Sequence, residues 1–192
     1  MAPSERTNIA RPKASSTTGG VGCGRRRNNT SVGRHMQGRR IERGGQFSLL
    51  IEVNRPCGYY SELARTVVLG RANAQLPQGF AAIAEAQAHT LSLLRPGADC
   101  AEIAAAHDGW MTARGLPAER RLYSYGQGAD KVERPLARHD ETMRLRAGMN
   151  LTVHPGYETD NLFAVICDNY LIGDQGRGAC LHNTAKRVYE ID

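Results

Sequence analysis

The 192-residue chain lacks the features that mark several common classes of protein. No apolar run approaches the roughly 20 residues that a membrane-spanning helix needs. The amino-terminal region has no apolar stretch of the kind found in secretory signal peptides. A serine nucleophile elbow and a phosphate-binding glycine loop are also missing. These absences argue against a membrane protein, a secreted protein, a serine hydrolase and a nucleotide-binding enzyme.

Cysteine pairs with a recognisable spacing are missing as well. The five cysteines include no CxxC pair, and an odd number cannot all be joined within one chain. We therefore expect free thiols and a location in the reducing cytoplasm. The cysteines are Cys23, Cys57, Cys100, Cys167 and Cys180.

Large apolar residues are scarce in residues 1–46, where serine, threonine, glycine and arginine predominate. We predict a disordered basic tail over residues 1–34 and one folded domain over residues 35–192. Much of the formal net charge of +6 comes from Arg25, Arg26, Arg27, Arg34, Arg39, Arg40 and Arg43. Such a run can contact nucleic acid. Aromatic residues are not interleaved with it, so a nucleic-acid partner is not expected.

The first half of the folded domain predicts a β-hairpin followed by two helices. Gln46–Val53 is a mostly apolar run, and Tyr59–Leu69 returns as a second extended segment. Apolar residues then recur at helical spacing from Leu76 to Leu94. Asp99 is placed to cap a second helix, which Gly115 ends.

The second half is rich in extended segments separated by glycine and proline. The predicted strands lie at Arg121–Ser124, Lys131–Arg134, Met149–His154, Leu162–Ile172 and Lys186–Ile191. Strands, a helix pair and further strands predict an α+β domain, with the helices on one face of an antiparallel sheet.

Five segments, taken in order, carry a family resemblance. They are LLIEV with GYYS and ELART (residues 49–53 and 58–66), a helix pair joined at Pro96-Gly97, YGQG with ERP (125–128 and 133–135), GMNLTVHP (148–155) and DNYL (168–171). From about Gly44 onward the chain resembles the creatinase, prolidase, aminopeptidase P and methionine aminopeptidase superfamily, which has the pita-bread fold.

The resemblance implies a cleft on a curved sheet, in which two aspartates, a histidine and two glutamates hold two divalent metal ions. Such a pair of ions generates hydroxide at neutral pH and polarises the scissile amide carbonyl. None of the corresponding residues here is the family's own. The positions are occupied by Glu52 (or Asn54), Glu62, Tyr125, His154 and Asp168.

These changes disfavour a two-metal site. Glutamate in place of aspartate moves the carboxylate by one methylene, which exceeds the ligand-distance tolerance of about 0.2 Å. Tyr125 offers a phenol in place of an imidazole, and His154 offers one lone pair where a bridging ligand needs two oxygens. Two alternatives stay open. One is a single manganese, iron, cobalt or zinc ion held by Glu52, Glu62, His154 and Asp168, and the other is a polar cleft without metal.

The creatinase branch of the superfamily works without metal, so acid–base catalysis is a further alternative. The candidate catalytic residues are His154, Tyr125 and Glu133, acting on a small polar substrate. We expect Cys167 to point to the apolar face opposite Asp168. The remaining histidines are expected at exposed or capping positions, and they are His35, His89, His107, His139 and His182.

The function implied by the resemblance is an aminopeptidase or Xaa-Pro peptidase-like hydrolase that acts on short peptides, with a degenerate metal site and impaired activity. The alternative is a non-catalytic or metal-independent, creatinase-like module that binds a small ligand. Because the usual amino-terminal part of such a domain is not recognised here, an incomplete pita-bread domain is expected. Members of the superfamily are often dimers, so a homodimer is expected and a membrane partner is not.

Overall fold

The computed structural model describes residues 41–54, 57–159 and 162–192, together with the backbone of Thr18–Gly24. The elements after β1 follow the predicted order of strands, two helices and further strands. They are β1 (Thr18–Gly24), β2 (Gln46–Asn54), β3 (Tyr60–Leu69), α1 (Gln75–Leu93), α2 (Cys100–Ala113), β4 (Ser124–Gly126), β5 (Glu133–Leu136), β6 (Asn150–Val153), β7 (Gly156–Thr159), β8 (Leu162–Val165), β9 (Asp168–Gly173), β10 (Gly176–Cys180) and β11 (Tyr189–Ile191).

The described strands form two larger sheets and one separate hairpin. One sheet has the order β1-β2-β3-β11, the other has the order β10-β9-β6-β4-β5, and β7 pairs with β8. Neighbouring strands are antiparallel except β11, which runs parallel to β3. The two sheets meet where Ala64 of β3 and Cys167, just before β9, exchange backbone hydrogen bonds of 3.2 and 3.1 Å. The candidate site lies at this junction.

The helix pair forms as the sequence predicts. The buried stripe of α1 includes Leu76, Phe80 and Ile83, which pack against Leu162 and Ala164 of β8. Burying this stripe stabilises the helix more than its intrinsic propensity does. At the start of α2, the Asp99 carboxylate accepts the backbone N–H groups of Ala101 and Glu102, which confirms the predicted cap. Gly115 follows the helix with a φ of +62°, a conformation that favours glycine.

A second buried cluster lies between the helices and the five-stranded sheet. It consists of Leu91, Leu94, Cys100, Ile103, Leu145, Leu151, Val153, Tyr170 and Ile172. Tyr170 and Ile172 are alternate residues of β9, so that face of β9 is the face that packs on the helices. This assignment decides where the residues around Asp168 point.

The amino-terminal region differs from the prediction in one described stretch. Thr18–Gly24 lies within the segment expected to be disordered, yet it pairs with β2 in antiparallel register from Thr18 opposite Glu52 to Gly24 opposite Gln46. Backbone hydrogen bonds can add such a strand although its glycines offer little side chain to pack. The rest of the predicted tail lies outside the described residues. So do the arginines of the basic run, except Arg43.

The carboxy-terminal half contains more strands than were predicted. The segment Leu162–Ile172, expected to be one strand, is divided into β8 and β9 by Ile166 and Cys167. The strands β7 and β10 were not predicted. The described cysteines Cys57, Cys100, Cys167 and Cys180 are free thiols. No helix in the described part of the chain is long and apolar enough to cross a membrane.

Candidate functional site

The site is centred on Glu62, a buried carboxylate on β3. The register of the β2–β3 hairpin places Glu62 directly opposite Glu52. Like charges in such a pair repel each other, so each carboxylate needs its own partners. Only 2% of Glu62 is exposed, which makes those partners obligatory.

Two side chains from the other sheet occupy both carboxylate oxygens of Glu62. The hydroxyl of Tyr125, on β4, donates to Oε2 at 2.6 Å. Nδ1 of His154, the first residue after β6, lies 3.1 Å from Oε1. The two rings meet edge to face, with centroids 5.4 Å apart. His154 is 2% exposed, so all three groups share one dry interior.

The surroundings of His154 determine where its protons lie. Nε2 is 3.0 Å from the carbonyl oxygen of Leu122. Because a carbonyl can only accept, Nε2 carries a proton. Nδ1 therefore faces the Glu62 carboxylate either with a second proton or with a bare lone pair. A hydrogen bond at 3.1 Å needs one proton between Nδ1 and Oε1, and because the pKa of Glu62 is lowered, that proton is assigned to the imidazole. The pair is then an imidazolium and a carboxylate.

Electrostatics support an ionised Glu62 and a protonated Tyr125. Burial alone would raise the pKa of Glu62, but the charge of His154 and the hydrogen bonds from His154 and Tyr125 outweigh it, so the pKa is lowered. Burial, together with the charge of Glu62, raises the pKa of Tyr125. The tyrosine is thus a hydrogen-bond donor and not a phenolate at neutral pH.

Cys167 faces away from Asp168, as expected, and packs with Ala64, Phe163 and Val165. Its Sγ also lies among the ligand atoms of Glu62 and His154, all within 4.8 Å of one another, which the sequence did not indicate. The thiol donates to the backbone oxygen of Glu62 at 3.6 Å. Burial and the nearby carboxylate raise the pKa of Cys167 well above its ordinary value. Without a metal it is therefore a neutral thiol and a poor nucleophile.

Asp168, the first residue of β9, points to the opposite side of the sheet from Cys167. Its Oδ1 accepts from Nη2 of Arg65 at 2.8 Å, and Oδ2 is 3.5 Å from Nζ of Lys186. Arg65 also donates to the backbone oxygens of Thr184 and Ala185. Asp168 therefore ties the carboxy-terminal segment to the sheet, and the structure does not bring it into the group formed with Glu62 and His154.

The two other predicted site residues lie at the margin of the site. Glu52 is partly buried, and its Oε1 accepts from Gln127 at 3.2 Å while Oε2 is 3.9 Å from Nζ of Lys131. Burial and the charge of Glu62 raise the pKa of Glu52. Glu133, at the start of β5, accepts the backbone N–H of Asp130 at 2.7 Å and so stabilises the β4–β5 turn.

A network of amides completes the site, and sequence reasoning did not identify it. Oδ1 of Asn169 accepts the backbone N–H of Glu62 at 2.6 Å and faces Nε2 of His182 at 3.2 Å. Oε1 of Gln127 accepts from Asn169 at 2.9 Å and from Thr152 at 3.1 Å. Asn169 follows the aspartate of the DNYL segment, and Gln127 lies inside the YGQG segment. Their positions within these two motifs were the available signal that both residues belong to the site.

The residues present do not fit a two-metal centre. Among the described residues, one group of three or more His, Cys, Asp or Glu side chains has its ligand atoms close enough to share an ion, and it contains a single carboxylate, that of Glu62. Two ions would need bridging carboxylates, but imidazole and thiol occupy the positions beside Glu62. The donors of this chain therefore do not support a reaction step through a pair of metal ions.

Comparison with known proteins identifies the family. Metallopeptidase family M24 matches residues 14–175. No match is found among curated protein sequences.

Solved structures share the fold. The dipeptidase PepE from Mycobacterium ulcerans superposes with a TM-score of 0.80 at 22% identity, over 93% of this chain and 47% of that one. The prolidase from Pyrococcus furiosus superposes with a TM-score of 0.76 at 24% identity, over 88% of this chain and 49% of that one. The methionine aminopeptidase from Rickettsia prowazekii superposes with a TM-score of 0.69 at 16% identity, over 84% of this chain and 72% of that one.

The chain thus spans just under half the length of the dipeptidase and the prolidase. The comparison confirms the predicted pita-bread architecture in incomplete form, since the match runs through most of this chain and about half of theirs. With the match over residues 14–175, the chain belongs to metallopeptidase family M24.

Proposed function

We propose that the chain is a peptidase-like M24 domain that binds short peptides and has lost, or nearly lost, the hydrolysis that a pair of metal ions performs. The observation that carries the proposal is the Glu62 carboxylate, both oxygens of which are engaged by Tyr125 and His154. A carboxylate held in this way cannot bridge two ions without breaking both contacts.

The chemistry of amide hydrolysis explains why this matters. Two metal ions supply a hydroxide at neutral pH and polarise the carbonyl, which together lower the barrier by many kcal/mol. In this chain Cys167 is a protonated thiol and Tyr125 is a protonated phenol, so neither is poised to replace the hydroxide as nucleophile. Impaired activity follows from that donor chemistry.

A second candidate is a metal-independent, creatinase-like domain that binds a small polar ligand. The ion pair between His154 and Glu62 favours it, because the pair is satisfied without metal and His154 carries a proton that it could donate. In this candidate His154, Tyr125 and Glu133 are the acid–base groups. His154 is only 2% exposed, however, so binding without catalysis suits the closed centre better than proton transfer does.

The ligand class comes from the relatives. The neighbours are named as a dipeptidase, a prolidase and a methionine aminopeptidase, so dipeptides with proline in second position are the first compounds to test. A homodimer and a cytoplasmic location are part of the same proposal, and a nucleic-acid partner is not.

Hydrolysis of Xaa-Pro dipeptides tests the function. Purified protein is assayed with EDTA and with added Mn²⁺, Co²⁺ or Zn²⁺, beside Glu62→Gln and the control Asp140→Asn, which changes an exposed carboxylate. We expect that added metal does not raise the turnover of the unsubstituted chain above the turnover of the Glu62→Gln variant. Turnover that needs metal, disappears in Glu62→Gln and persists in Asp140→Asn would overturn the proposal.

Binding of the same dipeptides distinguishes the two candidates. Calorimetric titration measures the affinity for the dipeptide with and without EDTA, and the dipeptide is then recovered. Equal affinities and an intact dipeptide support the metal-independent module. Release of amino acids in the presence of EDTA would instead show metal-independent catalysis.

A further inference from the structure

Three different donor atoms converge at the junction of the two sheets. They are a carboxylate oxygen of Glu62 on β3, an imidazole nitrogen of His154 after β6 and the Sγ of Cys167 before β9, all within 4.8 Å of one another. The three residues are 2%, 2% and 0% exposed. Separate segments of the chain thus bring them together in a dry interior.

The contacts around these donors are those of metal ligands. A ligating histidine commonly donates its second ring N–H to a backbone carbonyl or a carboxylate. His154 does so from Nε2 to Leu122 at 3.0 Å, which directs Nδ1 towards Glu62. Tyr125 fixes the orientation of the carboxylate by donating to its second oxygen.

The separation of the donors also suits one small ion. Nδ1 of His154 and Oε1 of Glu62 are 3.1 Å apart. Two ligand atoms at zinc distances of about 2.0–2.1 Å in a tetrahedral site are separated by roughly 3.3 Å. An ion could therefore take the place of the shared proton with little movement of either side chain.

Charge balance leads to the same conclusion. Without metal the group holds one carboxylate, one imidazolium and one neutral thiol, so its net charge is zero. With one divalent cation it would hold a carboxylate, a neutral imidazole and a thiolate, and its net charge would again be zero. One cation would replace two protons, which leave to solvent. Neither state leaves an uncompensated charge in the interior.

We propose that Glu62, His154 and Cys167 form a site for one thiophilic divalent cation, zinc above all. A sulfur, a nitrogen and a single oxygen select zinc over manganese or magnesium, which prefer all-oxygen sites. This site rests on the degenerate centre proposed above, but it differs from the predicted set of Glu52, Glu62, His154 and Asp168 in both donors and metal preference.

Cobalt substitution tests the role of the thiol. Metal-free protein titrated with Co²⁺ should bind one ion per chain and develop a near-ultraviolet thiolate-to-cobalt absorption band. The band should be lost in Cys167→Ala, and zinc affinity should fall by at least about 100-fold. The control Cys180→Ala removes a partly buried thiol outside the group, which donates to His182, and should retain both band and affinity.

X-ray absorption of the zinc-loaded, unsubstituted chain keeps the test independent of whether the variants fold. One sulfur ligand at about 2.3 Å is expected. A zinc shell of nitrogen and oxygen only, a cobalt band that survives in a folded Cys167→Ala, or failure to bind zinc at micromolar concentration would each overturn the site. Metal-dependent dipeptide turnover would refute the proposed loss of hydrolysis without removing the thiolate band, so the two failures are distinguishable.

Discussion

Two buried histidines in this domain have opposite surroundings. His107, in α2, is 0% exposed, and its ring stacks on Tyr123 with centroids 3.9 Å apart. Its Nδ1 is 3.1 Å from the hydroxyl of Thr90, while Nε2 has no hydrogen-bond partner among the described residues. His154, at the sheet junction, has the carboxylate of Glu62 on one nitrogen and the oxygen of Leu122 on the other.

The difference shows what a buried imidazole requires. Burial lowers the pKa of His107 to about 4, and the carboxylates of Glu119 and Asp108 only partly oppose that effect. His107 is therefore a neutral packing residue of the helix pair. His154, by contrast, has a direct carboxylate partner in Glu62. The same residue type thus belongs to the core in one region and to the candidate site in the other.

Removing the imidazole at the sheet junction should have the largest effect. His154→Phe leaves the buried Glu62 carboxylate without its cation, which should lower the free energy of unfolding by about 3–5 kcal/mol. Urea unfolding at pH 7 measures this. The double variant Glu62→Leu/His154→Phe should recover much of the loss, because no charge is then left unpaired. Equal losses in the single and double variants would contradict the ion pair.

Removing the imidazole of the helix pair should change the response to acid. The folded chain keeps His107 neutral down to about pH 4, whereas the unfolded chain protonates it near its ordinary pKa of 6.5. The unfolded state therefore binds more protons in this window, so stability is full above pH 6.5 and falls as the pH drops towards 4. A shift of this size corresponds to about 3 kcal/mol.

The variant His107→Phe should remove that loss. Its free energy of unfolding, followed from pH 7 to pH 4, should fall less than that of the unsubstituted chain by about 3 kcal/mol. The control His139→Phe changes an exposed histidine, which is 66% accessible at its side chain, and should follow the original curve. Parallel curves for His107→Phe and the unsubstituted chain would show that His107 is not held neutral.

The tyrosine at the sheet junction should contribute a smaller amount. Tyr125→Phe removes the 2.6 Å hydrogen bond to Glu62 and should cost about 1.5–3 kcal/mol, the usual range for a bond to a charged group. It should also let the pKa of Glu62 rise, so acid unfolding should begin at a higher pH. Tyr59→Phe, at a residue that is 64% exposed, is the control and should change neither quantity.

The smallest effect is expected at the surface. His139 is 2.8 Å from Asp108, but the two side chains are 66% and 47% exposed. The variant His139→Ala should therefore change the free energy of unfolding by less than about 1 kcal/mol. Urea unfolding at pH 6 measures this. A loss comparable to that of His154→Phe would show that contact with a carboxylate, and not burial, determines the contribution of a histidine.

The fold was largely predictable because its signals are local. The β2–β3 hairpin, the apolar stripe of α1 and the Asp99 cap each follow from short patterns, and the structure confirms them. The strand β1 was not predictable in this way, because a glycine-rich segment carries no alternation of side chains. Its pairing with β2 depends on backbone hydrogen bonds that sequence does not reveal.

The site was predictable only in part, and its errors have a geometric cause. Successive residues of a strand face opposite sides, so an error of one residue reverses every assignment. Asp168 shares a face with Tyr170 and Ile172, which pack on the helices, whereas Cys167 and Asn169 face the site. The large apolar side chains at Tyr170 and Ile172 were the signal that Asp168 belongs to the core face. Two of the candidate ligands, Glu62 and His154, do lie together.

The metal content of the folded chain tests the proposed loss of a two-metal centre most directly. Metal-free protein is incubated with Mn²⁺, Co²⁺ or Zn²⁺, desalted and measured by elemental analysis. We expect no more than one ion per chain with any of the three metals. Two ions per chain, both lost in Glu62→Gln, would contradict a centre in which Tyr125 and His154 have taken the place of metal ligands.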